Sequence, residues 1–144
     1  MVRKVGVLAL QGNYIQHKRM LDNLGINNIL VQYPRELEKC DLLIIPGGES
    51  TTISKLIDRN KFRKSIMNFA QINSVFGTCA GMILLSSTKE ANNFKPLGVM
   101  DFKAKRNAYG RQVNSFSGNL HLEFDNSNNF KALFIRAPKV SNLG

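Results

Sequence analysis

The chain has 144 residues, 43% of them hydrophobic, with a formal net charge of +10 and two cysteines. That length and composition fit one globular domain with a sizeable core, and no apolar run approaches the roughly 20 residues that a membrane span requires. Met1 leads straight into strand-like sequence without a signal-peptide pattern, and two cysteines in unlike contexts do not make a disulfide framework, so a cytoplasmic protein is expected.

Residues 4–10 form an almost wholly apolar run, the pattern of a strand buried on both faces. Gln11, Gly12 and Asn13 read as a turn, with Asn13 as the N-cap of a helix over 14–24 that Gly25 terminates. A second strand is expected over 29–31. A third covers 41–45 and ends abruptly at Pro46-Gly47-Gly48. Helices follow around 52–57 and 62–72, and a fourth strand over 74–78 delivers Cys79. Strand alternating with helix at this rhythm implies a parallel sheet with helices on both sides. Beyond residue 90 the texture changes to strands over 97–105, 113–124 and 132–135 without long helices between them. No repeat or linker interrupts the chain, so residues 1–144 are read as a single domain.

Gly77-Thr78-Cys79-Ala80-Gly81, between an apolar strand and a helical run, carries the most chemistry. Gly-x-Cys-x-Gly at a strand-to-helix junction is the thiol version of a nucleophile elbow. The glycines allow a sharp turn and leave the sulfur approachable, and a helix beginning at Ala80 favours an anionic sulfur. A lone cysteine is more often inert core. Cys40, without glycine framing, is read that way; Cys79 is read as the nucleophile.

Ligands of open α/β sheets bind beyond the carboxyl ends of the strands. Three turns should meet there: Gln11-Gly12, the loop 46–50, and Cys79. The Gly48 and Ala80 backbone N–H groups are the candidate oxyanion donors. Acyl chemistry on a small carbonyl substrate is therefore expected, with no cofactor and no metal. The basic residues are scattered and accompany no nucleic-acid motif, so the charge reads as a solvated surface rather than a nucleic-acid face. The chain also holds sixteen asparagines, and the joint excess of lysine and asparagine reads as compositional drift.

Five segments occur in order: Gly6-Val7-Leu8-Ala9-Leu10-Gln11-Gly12, Pro46-Gly47-Gly48-Glu49-Ser50-Thr51-Thr52, Phe76 with Gly77-Thr78-Cys79-Ala80-Gly81, Arg106-Asn107-Ala108-Tyr109-Gly110-Arg111-Gln112, and Phe134-Ile135-Arg136-Ala137-Pro138. Together they resemble the glutaminase subunit of pyridoxal 5′-phosphate synthase, a class I (triad-type) glutamine amidotransferase. The resemblance implies a three-layer α/β/α fold with a mostly parallel central sheet. It also implies hydrolysis of L-glutamine to glutamate and ammonia, and passage of the ammonia to a synthase subunit that makes the vitamin B6 cofactor. By the same resemblance Cys79 is the nucleophile, Gly47, Gly48 and Glu49 form the glutamine-binding loop, and Arg106, Ile135 and Arg136 contact substrate.

The family completes its triad with a histidine and a glutamate in a His-Pro-Glu segment, which these 144 residues do not contain. The domain is therefore expected to be truncated at its C-terminal end. The alternative expectation is a catalytically impaired fragment or regulatory partner that docks the synthase without hydrolysing glutamine. His17 and His121 are the two histidines; His17 is read as a helix-surface residue and His121 as an outward-facing strand residue.

Overall fold

The computed structural model describes residues 4–88, 94–108, 116–123 and 130–144. Four parallel strands, β1 (Val5–Leu8), β2 (Asn28–Val31), β3 (Leu42–Ile45) and β4 (Ser74–Gly77), form a sheet in the order β2-β1-β3-β4. Every residue of β1 is buried, and alternate side chains feed two separate cores. Val5 and Val7 join Leu21 and Ile44 on one face. Leu8 joins Leu43 and Ile45 on the other.

The first face is covered by α1 (Tyr14–Asn23), which follows β1 after the Gln11–Asn13 turn. The second is covered by α2 (Ser50–Arg59), α3 (Phe62–Ile72) and α4 (Ala80–Leu85), whose Ile53, Ile57, Phe62, Ile66 and Leu84 are fully buried. These are the expected three layers, unevenly built. On the α1 side an apolar groove lined by Val5, Leu21, Ile26, Leu42, Ile44 and Phe76 stays open, and Phe76 is 53% exposed. A 3-10 helix, Pro34–Lys39, links β2 to β3 and buries Leu37 beside Cys40.

The strand expected over 97–105 is shorter. Only β5 (Lys103–Lys105) forms, pairing antiparallel with β8 (Lys139–Ser141). The reason lies in the backbone bonds: Leu97 N–H donates to Leu84 O at 2.6 Å and Val99 N–H to Leu85 O at 3.1 Å. This segment seals the end of α4 instead of joining a ladder. β6 (Phe116–Leu120) and β7 (Phe130–Phe134) make a separate antiparallel pair, with the Phe116 and Phe134 rings stacked at 4.7 Å. Residues 113–115 and 124 of the strand expected over 113–124 lie outside the described residues, as do Tyr109, Gly110, Arg111 and Gln112.

Candidate active site

In the order β2-β1-β3-β4 the chain changes direction across the sheet between β1 and β3, which opens a crevice at their carboxyl ends. The three anticipated turns meet there. Asn13 N–H donates to Gly47 O at 2.9 Å, and Glu49 N–H donates to Gln11 Oε1 at 3.1 Å. Thr78 N–H donates to Ile45 O at 3.1 Å, which ties the elbow to β3. Asn13 stands at the N-cap position as expected, but its side chain makes no cap bond. Its backbone is what fastens the glycine loop.

Cys79 has φ 49° and ψ −104°, a conformation unfavourable for any side-chain-bearing residue. Tight packing enforces it. A Cβ on Gly77 would lie 2.5 Å from the Gly81 carbonyl carbon, and one on Gly81 would collide with Ile45 O. Gly77 and Gly81 are thus required by the turn. Cys79 is exposed and Cys40 buried, and burial pushes the Cys40 thiol up from its ordinary value. The glycine-framed thiol is thus the accessible one and the unframed thiol the buried one.

A cavity of about 260 Å³ opens in front of the sulfur, lined by Gly48, Glu49, Ser50, Cys79, Ala80, Ile83, Arg106, Asn107, Ile135 and Arg136. That is slightly below the ~300–1,000 Å³ usual for drug-sized ligands and suits a small metabolite. Every expected site residue except Gly47 lines it. Gly47 lies directly behind, where a Cβ would sit 3.4 Å from Cys79 Cβ. The far wall is brought in by the β5–β8 pairing, because Arg106 follows β5 and Arg136 precedes β8. Ala108 N–H donating to Ala137 O at 3.1 Å locks those two turns together. Of the five non-glycine residues with positive φ among those described, Cys79, Asn107 and Arg136 line this cavity. Backbone strain gathers where function needs a fixed geometry.

Glu49 works inside the protein as well as facing the cavity. Its carboxylate accepts from Thr51 N at 3.1 Å, Thr52 N at 2.6 Å and Thr52 Oγ1 at 2.7 Å, capping α2. Burial would raise its pKa, but the hydrogen bonds from Thr52 and Thr51 outweigh it and hold the group at about 2. Arg106 donates to Glu49 and to Thr51 Oγ1, and its guanidinium lies 5.7 Å from the Phe94 ring centre. The half-exposed ion pair contributes less to the acidity of Glu49 than the cap does.

Gln11 and Ser50 were expected in turns at the crevice but given no role of their own, and sequence reasoning missed Phe94, Ile83 and Asn107. Gln11 and Asn107 stood inside recognised segments, whereas nothing local marked Phe94. His17 is a correction: it is half-buried, and its Nε2 lies 2.9 Å from Thr78 Oγ1. His121 is exposed, as expected, but it lies just past the end of β6 and not within a strand. Neither histidine lines the cavity. No group of three or more His, Cys, Asp or Glu among the described residues is arranged to hold a metal ion, and no helix among them is long and apolar enough to cross a membrane.

A cysteine on a strained elbow at the carboxyl ends of a parallel sheet, beside a double-glycine loop, has the arrangement of a nucleophile elbow on an α/β fold. Residues 7–144 match the SNO glutamine amidotransferase family, and the chain belongs to it. Pyridoxal 5′-phosphate synthase subunit PdxT of Thermosipho africanus is 48% identical over an alignment of 145 positions that covers 98% of this chain and 75% of that protein. The protein of the same name from Herpetosiphon aurantiacus is 46% identical, over 97% of this chain and 76% of its own length. A crystal structure described as a glutamine amidotransferase superposes with a TM-score of 0.86 at 41% identity, over 97% of this chain and 75% of that one.

Proposed function

We propose that the protein is the glutaminase subunit of a pyridoxal 5′-phosphate synthase, releasing ammonia from L-glutamine for use by a synthase subunit. The observation that carries this reading is the single small cavity in which Cys79, the glycine loop and two arginines converge, in a chain of the amidotransferase family.

In this reading Cys79 Sγ attacks the side-chain amide carbon of glutamine. The Gly48 and Ala80 N–H groups receive the oxyanion of the tetrahedral intermediate. Collapse breaks the C–N bond, the thiol proton ends on the departing nitrogen, and a γ-glutamyl thioester remains. Water then yields glutamate and the free thiol. Arg106 and Arg136 suit the α-carboxylate, Glu49 the ammonium group, and Ile135 the methylene chain.

The test is ammonia release from L-glutamine, measured with and without the synthase subunit and beside Cys79→Ala. Release that the substitution abolishes supports the proposal; release that persists overturns the role of Cys79. Stable binding to the synthase without release would favour the docking-only alternative.

A further inference from the structure

His17 sits one helical turn beyond Asn13, so the two lie on the same side of the start of α1. Each grips a different half of the candidate site. Asn13 N–H holds the Gly47 carbonyl at 2.9 Å, and His17 Nε2 lies 2.9 Å from Thr78 Oγ1, 61 residues away in sequence. Thr78 immediately precedes Cys79. Its backbone is already fastened twice, by N–H to Ile45 O and by its carbonyl to Gly81 N–H at 2.9 Å.

The Thr78 hydroxyl also stands at the seam between elbow and loop. A Cβ on Gly47 would lie 3.6 Å from Thr78 O and 3.9 Å from Thr78 Oγ1, beside its 3.4 Å approach to Cys79. Swinging the Thr78 side chain would therefore press on the loop that presents the Gly48 amide. Burial lowers the pKa of His17, favouring the neutral imidazole. In that form Nε2 either accepts from the hydroxyl or donates to it, and the hydroxyl can rotate to match.

We infer that His17 is a positioning residue: through the Thr78 hydroxyl, its imidazole holds the strained elbow and keeps the Cys79 sulfur in register with the Gly47–Gly48 loop. The inference rests on Cys79 being the glutamine nucleophile. His17 is not the proton acceptor for the thiol in this arrangement, because its Nε2 is directed at Thr78 and it does not line the cavity.

The experiment measures the rate at which an electrophilic glutamine analogue labels Cys79, together with the thermal midpoint of each variant. His17→Leu and Thr78→Val should each slow labelling by roughly ten- to a hundredfold, as expected for a small misplacement of a reacting atom. The double variant should be no slower than either single one. His17→Gln, whose amide reaches the position of Nε2, and Thr78→Ser, which keeps the hydroxyl, should restore most of the rate. Midpoints of the rescued and unrescued variants should agree within about 3 °C.

Wild-type labelling rates in His17→Leu and Thr78→Val would overturn the inference. So would equal losses in His17→Leu and His17→Gln, or losses that simply follow the midpoints. Failure of the analogue to label the wild-type protein is a different result: it removes the nucleophile reading itself, and the inference with it.

Discussion

Arg106 Nη2 lies 3.1 Å from Glu49 Oε1, so the acidic and basic side chains of the cavity hold one another while the same carboxylate caps α2. In the proposed function, the ammonium and carboxylate of a bound glutamine would exchange partners with this pair. The ion pair is half exposed on both sides, so its share of folding stability is small, about 0–1 kcal/mol. In the proposed function the pair keeps two charges in place for a zwitterion.

Arg106→Ala is therefore expected to weaken glutamine binding while leaving urea unfolding almost unchanged. Glu49→Ala should weaken binding and also remove the cap, at a cost of roughly 0.5–2 kcal/mol. Calorimetric titration with glutamine beside urea denaturation separates the two. Unchanged glutamine affinity in Arg106→Ala would contradict the assignment of that residue.

Acid should destabilise the protein in two windows. His17 has a lowered pKa, so below the ordinary 6.5 the unfolded chain takes up the proton more readily than the folded one. Its contribution is complete above that pH and is lost as the pH falls. Glu49, held at about 2 instead of 4.5, contributes fully above 4.5 and loses that contribution on the way down to 2. Denaturant midpoints across this range should therefore fall in both windows, and His17→Gln should remove the upper one alone.

Glycine substitutions distinguish site packing from general tolerance. Gly12 has φ +95°, and a Cβ there would collide with Gly47 O, the carbonyl that Asn13 holds. Gly12→Ala and Gly81→Ala should each cost about 1–3 kcal/mol, as overpacked positions do, and slow the reactions of Cys79. Gly118→Ala, where the nearest atoms are ordinary contacts at 3.8 Å and beyond, is the control. Thermal unfolding of the three variants checks the order.

Buried strands were readable because β1 and β3 are covered on both faces and so became continuous apolar runs. The elbow was readable because its turn demands glycine at Gly77 and Gly81. Features set by distant partners were not. His17 resembled an ordinary helix-surface residue until Thr78 arrived from 61 positions away, and Phe94 gains meaning only from the guanidinium above it. α2 begins at Ser50, before the expected residue 52, because Glu49 caps it from outside with a long side chain. The 3-10 helix Pro34–Lys39 is too short to show a period.

Site-resolved alkylation by iodoacetamide, read by peptide mass spectrometry with and without L-glutamine, tests the central claim most directly. The exposed Cys79 should label first and be protected by glutamine, while Cys40, buried and with a raised thiol pKa, stays unmodified in the folded protein. Labelling of Cys40 ahead of Cys79, or a Cys79 rate that glutamine leaves unchanged, would contradict the account.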